Sequence, residues 1–491
     1  MYNADKRYVC ARPSRRTVTL SGFRGVDPEQ KRAALPSDYA DFAVGFGFKD
    51  GCLVSGPGAR YLKGVKPDLT ETETPNVPKP AENCRLGIYR TDDKEENYNK
   101  IMLMYTNGAA ALPTGDFSEW QQYNYFLMSN FNEGINVLDP DGKPVFVLVS
   151  TGGEAMCIYT GSTFDVIGSA TATVTTICKH SERVSAVMSD DECTVLYSDA
   201  FDVYNWDVSL DAGGYITFDR DLGRIRKLVS FADYLYVFCD YGIYRVSTRG
   251  DQLSFSVKRL YTACSRIYPE TIAEAGDRII FCAGDGVYSF DGYDVTRIST
   301  RLNKYFHVGA DGMCAAYCKH KYYLAFRLCE DGWTAGDNNS LAILDLDTGE
   351  LCISRGFYIF DMETLATGAQ NTVIATAKNV EKLMELSPEL GSYLGQSLEK
   401  EWRIGGVDMG DAGAVKVVCS AEVNTQTPFT LTFTNERGKT RSVSFAAGRS
   451  TRRIGICGKT FSVAITTQEE DVLIRPISLT VDFYEGGEHA V

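Results

Sequence analysis

Histidine is scarce: the 491-residue chain has four, His180, His307, His320 and His489, none in a recognisable motif. The commonest side chain for metal ligation and general base work is thus nearly missing. No Gly-x-Ser-x-Gly elbow, phosphate-binding P-loop or dinucleotide fingerprint occurs. The most apolar run, Pro144–Ser150, is far too short to span a bilayer, so no membrane insertion is expected. The opening residues, MYNADKRYVC, lack the apolar core of a signal peptide, which points to synthesis and assembly in a cytoplasm. Net positive charge is also missing. At a formal −14 the chain gains little from counterion release on nucleic acid, which disfavours tight binding of it.

Cysteine is present, fifteen in all, but it is odd in number and scattered. Cys239 and Cys282 follow apolar strand residues, so buried free thiols are expected rather than a disulfide framework. Charge is uneven. Residues 1–32 carry a net +5, including Arg12, Arg15 and Arg16, which reads as a solvated tail or as an arm that docks on an acidic partner.

Tyrosine (28), phenylalanine (25) and glycine (45) are abundant, as in a chain of short strands and tight turns. The alternating runs Leu235–Cys239 and Ile243–Val246 flank the turn at Asp240–Gly242. The runs Arg278–Phe281 and Val287–Phe290 flank Gly284–Gly286, 44 residues on when measured from Gly242 to Gly286. Comparable turns stand near Asn107, Gly152, Tyr197, Asp331 and Ala377. A beat of about 45 residues with several strands per beat is the signature of a β-propeller. The fold expected is all-β: a six- to seven-bladed β-propeller with an extended N-terminal segment and a C-terminal β-sandwich.

The expected divisions are 1–90 for the N-terminal arm, with a proline-rich connection over 65–84, then 91–397 for the propeller and 398–491 for the sandwich. Alternation over Val415–Ala421, Phe429–Phe433, Arg441–Phe445, Phe461–Ile465 and Ile477–Phe483 supports the last. Residues 379–402 are the one passage with helix-like stretches.

The two Asp-Gly pairs of FCAGDGVYSFDG (281–292) resemble a calcium loop only faintly, since the strand between them holds the carboxylates apart. Cys314, Cys318 and His320 suggest zinc, but no fourth ligand stands at matching spacing. No catalytic residue, metal site or cofactor is assigned.

One block is more specific. It runs from Leu196–Asp199 and Asn205-Trp206 through Gly223, Ile225, Leu228, Phe231, Asp233, Leu235 and Val237-Phe238 to Gly242–Tyr244. It continues with Gly276-Asp277, Ile279, Phe281, Asp285–Tyr288, Phe290–Gly292 and Ile298-Ser299. With Gly25–Asp27, Phe46–Gly51, Leu53 and Gly56–Gly58 near the start, it resembles the tail nozzle, or tail hub and DNA-stabilisation, proteins of tailed bacteriophages. The resemblance implies a non-enzymatic virion protein of the phage tail, assembled in the bacterial host. It implies a homo-oligomeric ring, a hexamer, below the portal and adaptor and in contact with tail-fibre or tail-tip proteins. Genomic DNA would pass through or be plugged there without being gripped. The alternative is a receptor- or glycan-binding propeller, with Trp120, Trp206 and Trp333 as stacking surfaces.

Overall fold

The computed structural model describes residues 13–484, apart from 22, 27–38, 80–83, 92–98, 124–127, 154–155, 168–172, 210–211, 250–251, 300–311, 329–336 and 368–369. The described residues form strands, two short 3-10 turns and no α-helix. The chain divides into two compact units: 60–349 with 356–387, and 1–59 with 350–355 and 388–491.

The larger unit is a seven-bladed β-propeller. Blades 1 to 5 are four-stranded antiparallel meanders. Their first strands are Arg85–Tyr89, Met128–Leu138, Val174–His180, Ile225–Phe231 and Ile267–Glu274. Blade 6 contributes Cys314–Cys318, Lys321–Phe326 and Ser340–Asp345 to this unit, and blade 7 contributes Ile359–Ala366, Asn371–Ala377 and Met384–Ser387. First strands of successive blades lie against one another in order, and that of blade 7 lies against that of blade 1, closing the ring.

Apolar layers separate the blades. Phe146 and Leu148 of blade 2 pack on Met102 and Met104 of blade 1. Leu365 and Ile374 of blade 7 pack on Leu86 and Ile101 across the closure. Middle strands are therefore buried on both faces. Lys100–Tyr105 is buried at every residue, which is why it reads as a continuous apolar run rather than an alternation.

The smaller unit is a β-sandwich. One sheet orders Ser14–Leu20, Ile477–Tyr484, Val415–Thr425 and Gly448–Gly458; the other orders Phe42–Val44, Lys400–Val407, Phe461–Thr467, Phe429–Asn435 and Thr440–Phe445. Phe429–Asn435 and Phe461–Thr467 alternate buried and half-buried residues, the pattern of sheets with one face inward. Trp402 is fully buried and meets the edge of Phe23 at 5.2 Å.

The boundaries differ from the expected 1–90, 91–397 and 398–491. The propeller's first blade starts at Arg85, and residues 388–397 belong to the sandwich unit. The N-terminal stretch is no separate arm where it is described, because Ser14–Leu20 pairs with Ile477–Tyr484 and Phe42–Val44 pairs with Lys400–Val407. The proline-rich connection starts inside a small hairpin, Lys63–Val65 with Glu71–Glu73. The helix-like passage 379–402 is strand and turn, since Met384–Leu386 completes a ladder with Val373–Ala375. A backbone ladder overrides a helical propensity worth only tenths of a kcal/mol per residue, ~0.7 at most for ordinary residues.

Candidate functional site

Five of the propeller's first strands lose register against their neighbours. The shifts fall at Phe131/Glu133, Val174/Thr176, Ile225/Lys227, Tyr268/Ala273 and Ile359/Asp361. A bulge adds a residue on one strand and re-aims the side chains around it. Here it sets polar groups into the ring of first strands. Glu133, Thr176, Lys227 and Asp361 directly follow the shift, Glu270 lies within it, and Arg85 opens the blade 1 strand.

These groups tie blade to blade. Glu133 accepts the Ile177 amide at 2.6 Å and the Thr176 hydroxyl, and pairs with the Lys227 ammonium. The Thr176 hydroxyl accepts the Leu228 amide at 3.2 Å. Asp361 accepts the Leu86 amide at 2.7 Å. In each case a side chain of one blade takes an amide of the next blade's first strand, the group left open at that strand's inner edge. Arg85 spans the closure: its guanidinium lies 3.2 Å from Glu270 and 3.5 Å from Asp361.

Burial alone would lower the Lys227 pKa, but Glu133 and Glu270 more than offset it and the net shift is upward. Glu270 and then Asp361 likewise raise Arg85 against burial. Burial raises the carboxyls of Asp361 and Glu363. Burial also raises Glu274, which water reaches although protein surrounds it. Chemically, the arrangement holds two fixed cations among a larger number of carboxylates. Among the described residues no group of three His, Cys, Asp or Glu is placed to hold a metal ion.

Of the expected docking residues, Arg12 lies outside the described residues. Arg15 pairs within the sandwich unit and stays exposed: its Nε and Nη2 donate to Asp482 at 2.7 and 2.9 Å. The Arg16 guanidinium lies 4.6 Å from the centre of the Phe483 ring, and its Nε donates to Ser14 at 3.4 Å. The two Asp-Gly pairs hold turns. Asp285 accepts the Ser265 and Tyr288 hydroxyls, and Asp291 accepts the amides of Tyr293 and Asp294 at 2.9 and 2.8 Å. A Cβ on Gly242 would stand 2.4 Å from the Tyr261 carbonyl, so that glycine serves close approach rather than positive φ. Cys314 and Cys318 lie on one buried strand of blade 6, and His320 lies in the following turn 3.5 Å from Asp347. Trp120 and Trp206 pack against the core, and Trp206 donates to the Val203 carbonyl at 2.8 Å; Trp333 lies outside the described residues.

The sequence reading missed the ring groups, whose members lie as far apart as Arg85 and Asp361 and share no motif. It also missed a feature that composition does show. Residues 437–459 hold Arg437, Lys439, Arg441, Arg449, Arg452, Arg453 and Lys459 and no acid, in a chain of net −14.

No protein-family model and no curated protein matches this sequence. Among solved structures, the AfRom2 CNH domain is similar at 11% identity and a TM-score of 0.38, over 64% of this chain and 97% of that one. The BBS1N chain of a complex with ARL6DN is similar at 8% and 0.42, over 64% and 94%. The N-terminal domain of Nup159 is similar at 7% and 0.41, over 68% and 95%.

Proposed function

We propose that the protein is a non-enzymatic structural subunit of a tailed-bacteriophage tail, a nozzle or hub that assembles as a ring, a hexamer, below the portal and adaptor. Genomic DNA passes along it without tight binding, and tail-fibre or tail-tip proteins attach to it. The observation that carries this reading is where the resembling residues fall. The block over 196–299 falls on the outer strands of the third blade and on the fourth and fifth blades, and Phe46–Lys49 with Cys52–Ser55 forms a hairpin of the sandwich unit. Its Asp-Gly pairs and Trp206 are occupied by turns and core, as suits a scaffold. The purified chain, imaged by electron microscopy, is expected to show rings of identical subunits with six-fold symmetry. A chain that stays monomeric at all concentrations and salts overturns the reading.

One observation favours the receptor- or glycan-binding alternative. The Arg245 guanidinium lies over the Tyr234 ring at 4.4 Å and the Tyr293 ring at 5.4 Å, and Tyr293 is 68% exposed. Exposed rings of this kind stack on planar or sugar faces. Binding on a glycan array that is lost in Tyr293→Ala would establish it; no binding by the wild type removes it.

A further inference from the structure

The acid-free stretch 437–459 folds into two neighbouring strands, Thr440–Phe445 and Gly448–Gly458, each the outermost strand of its sheet. All seven of its cations are exposed. Arg449 pairs with Glu422 at 2.6 Å, and Arg441 donates to the Ile454 carbonyl at 3.2 Å. The side chains of Arg452 and Arg453 have no partner among the described residues, and that of Arg437 meets only the charge of Glu436 beside it. Two neighbouring edge strands thus carry a concentrated positive charge.

The propeller presents the complement. At one end of blades 2 and 3, Leu138, Val166, Phe201 and Tyr204 are 52%, 47%, 67% and 40% exposed. Their chain neighbours Val137, Ile167 and Val203 belong to one core cluster shared by the two blades. Asp139, Asp141, Asp165 and Asp202 lie near Tyr204, whose hydroxyl pKa is raised first by burial and then by their charge. Blades 2 and 3 thus combine exposed apolar side chains with acids gathered near Tyr204.

We propose that the basic sandwich edge of one copy of this chain docks on the acidic, apolar face of blades 2 and 3 of the next copy. Charge complementarity selects the occupant: an edge of this charge repels the same edge on another copy, so a two-fold edge-to-edge pair is disfavoured. A contact between two different surfaces of like subunits is heterologous, and it generates a ring when the rotation closes. The inference rests on the ring reading above and supplies its interface.

The test is mass photometry and sedimentation of the full chain at low and high salt, with two charge reversals. One is Arg437→Glu with Arg452→Glu and Arg453→Glu; the other is Asp141→Lys with Asp165→Lys. All five residues are exposed, so circular dichroism and thermal midpoints are expected to stay at wild-type values. Each reversal alone is expected to weaken association at least ~10-fold, and the two together to restore it, as for a rim-charged interface that salt weakens. If both reversed variants assemble like the wild type, this interface is wrong while the ring reading stands. If the wild type never assembles, the ring reading falls as well. A labelled DNA duplex forms a third arm. Duplex binding that the arginine reversal abolishes while assembly is unchanged would assign the edge to nucleic acid and overturn the proposal.

Discussion

Charge is concentrated in two regions of this protein and is used in opposite ways. In the ring of first strands the ionic groups are largely enclosed: Lys227 and Glu133 keep 23% and 13% of their side chains exposed and face each other. On the sandwich edge the cations are exposed, and several have no partner. The first kind costs desolvation and is offset by the cations and backbone amides that face it. The second costs no desolvation and remains available to another molecule. Charge density alone therefore does not separate structural from functional groups; enclosure and pairing do.

The largest break in this contrast should come at the ring. Lys227→Met leaves Glu133 enclosed without its cation and is expected to cost about 3–5 kcal/mol in urea or thermal unfolding. Asp361→Ala strands the Leu86 amide and half of Arg85's partners, with an expected loss of about 2–4 kcal/mol; Asp361→Asn, which keeps an acceptor, should lose less. A loss under 0.5 kcal/mol in both would show that these groups do not hold the blades.

A smaller effect is expected from His180. Its ring nitrogens stand 2.8 Å from the Ser230 hydroxyl and 2.9 Å from the Thr248 hydroxyl, and burial lowers its pKa. The folded state therefore binds a proton less readily than the unfolded chain. Its contribution is fully present above the ordinary histidine value of about 6.5 and is lost as pH falls below it, through the lowered folded value. The thermal midpoint should drop between about pH 7 and pH 5, and His180→Asn should flatten that slope. A variant with the same slope as wild type would assign the pH dependence elsewhere. The smallest effect is expected at the edge: Arg452→Glu with Arg453→Glu should move stability by less than about 0.5 kcal/mol.

Much of the architecture was legible where one physical signal dominated. The turns at Asn107, Asp240, Gly284 and Ala377 each follow the second strand of a blade, so the beat was real. It slipped by one strand at Tyr197, which ends the third strand of its blade, because Ser198 and Asp199 look like any tight turn. The ring groups were illegible because a bulge, not a sequence period, brings them together. The basic edge was legible in principle: an acid-free run with seven cations needs only counting. Of the N-terminal arginines expected to dock, Arg15 stays exposed while it pairs with Asp482, a partner far away in sequence that no local pattern announces.

That pairing has a consequence in time. Arg15 and Asp482 are separated by 467 positions, and the strands that carry them are direct neighbours. At translation rates of roughly 5–20 residues per second, strand Ser14–Leu20 waits on the order of half a minute to a minute and a half for its partner to leave the ribosome. The blades, built from neighbouring segments, can close sooner. Synthesis order therefore makes the sandwich the last unit to mature, so a chain released early would carry a finished propeller and an unfinished sandwich.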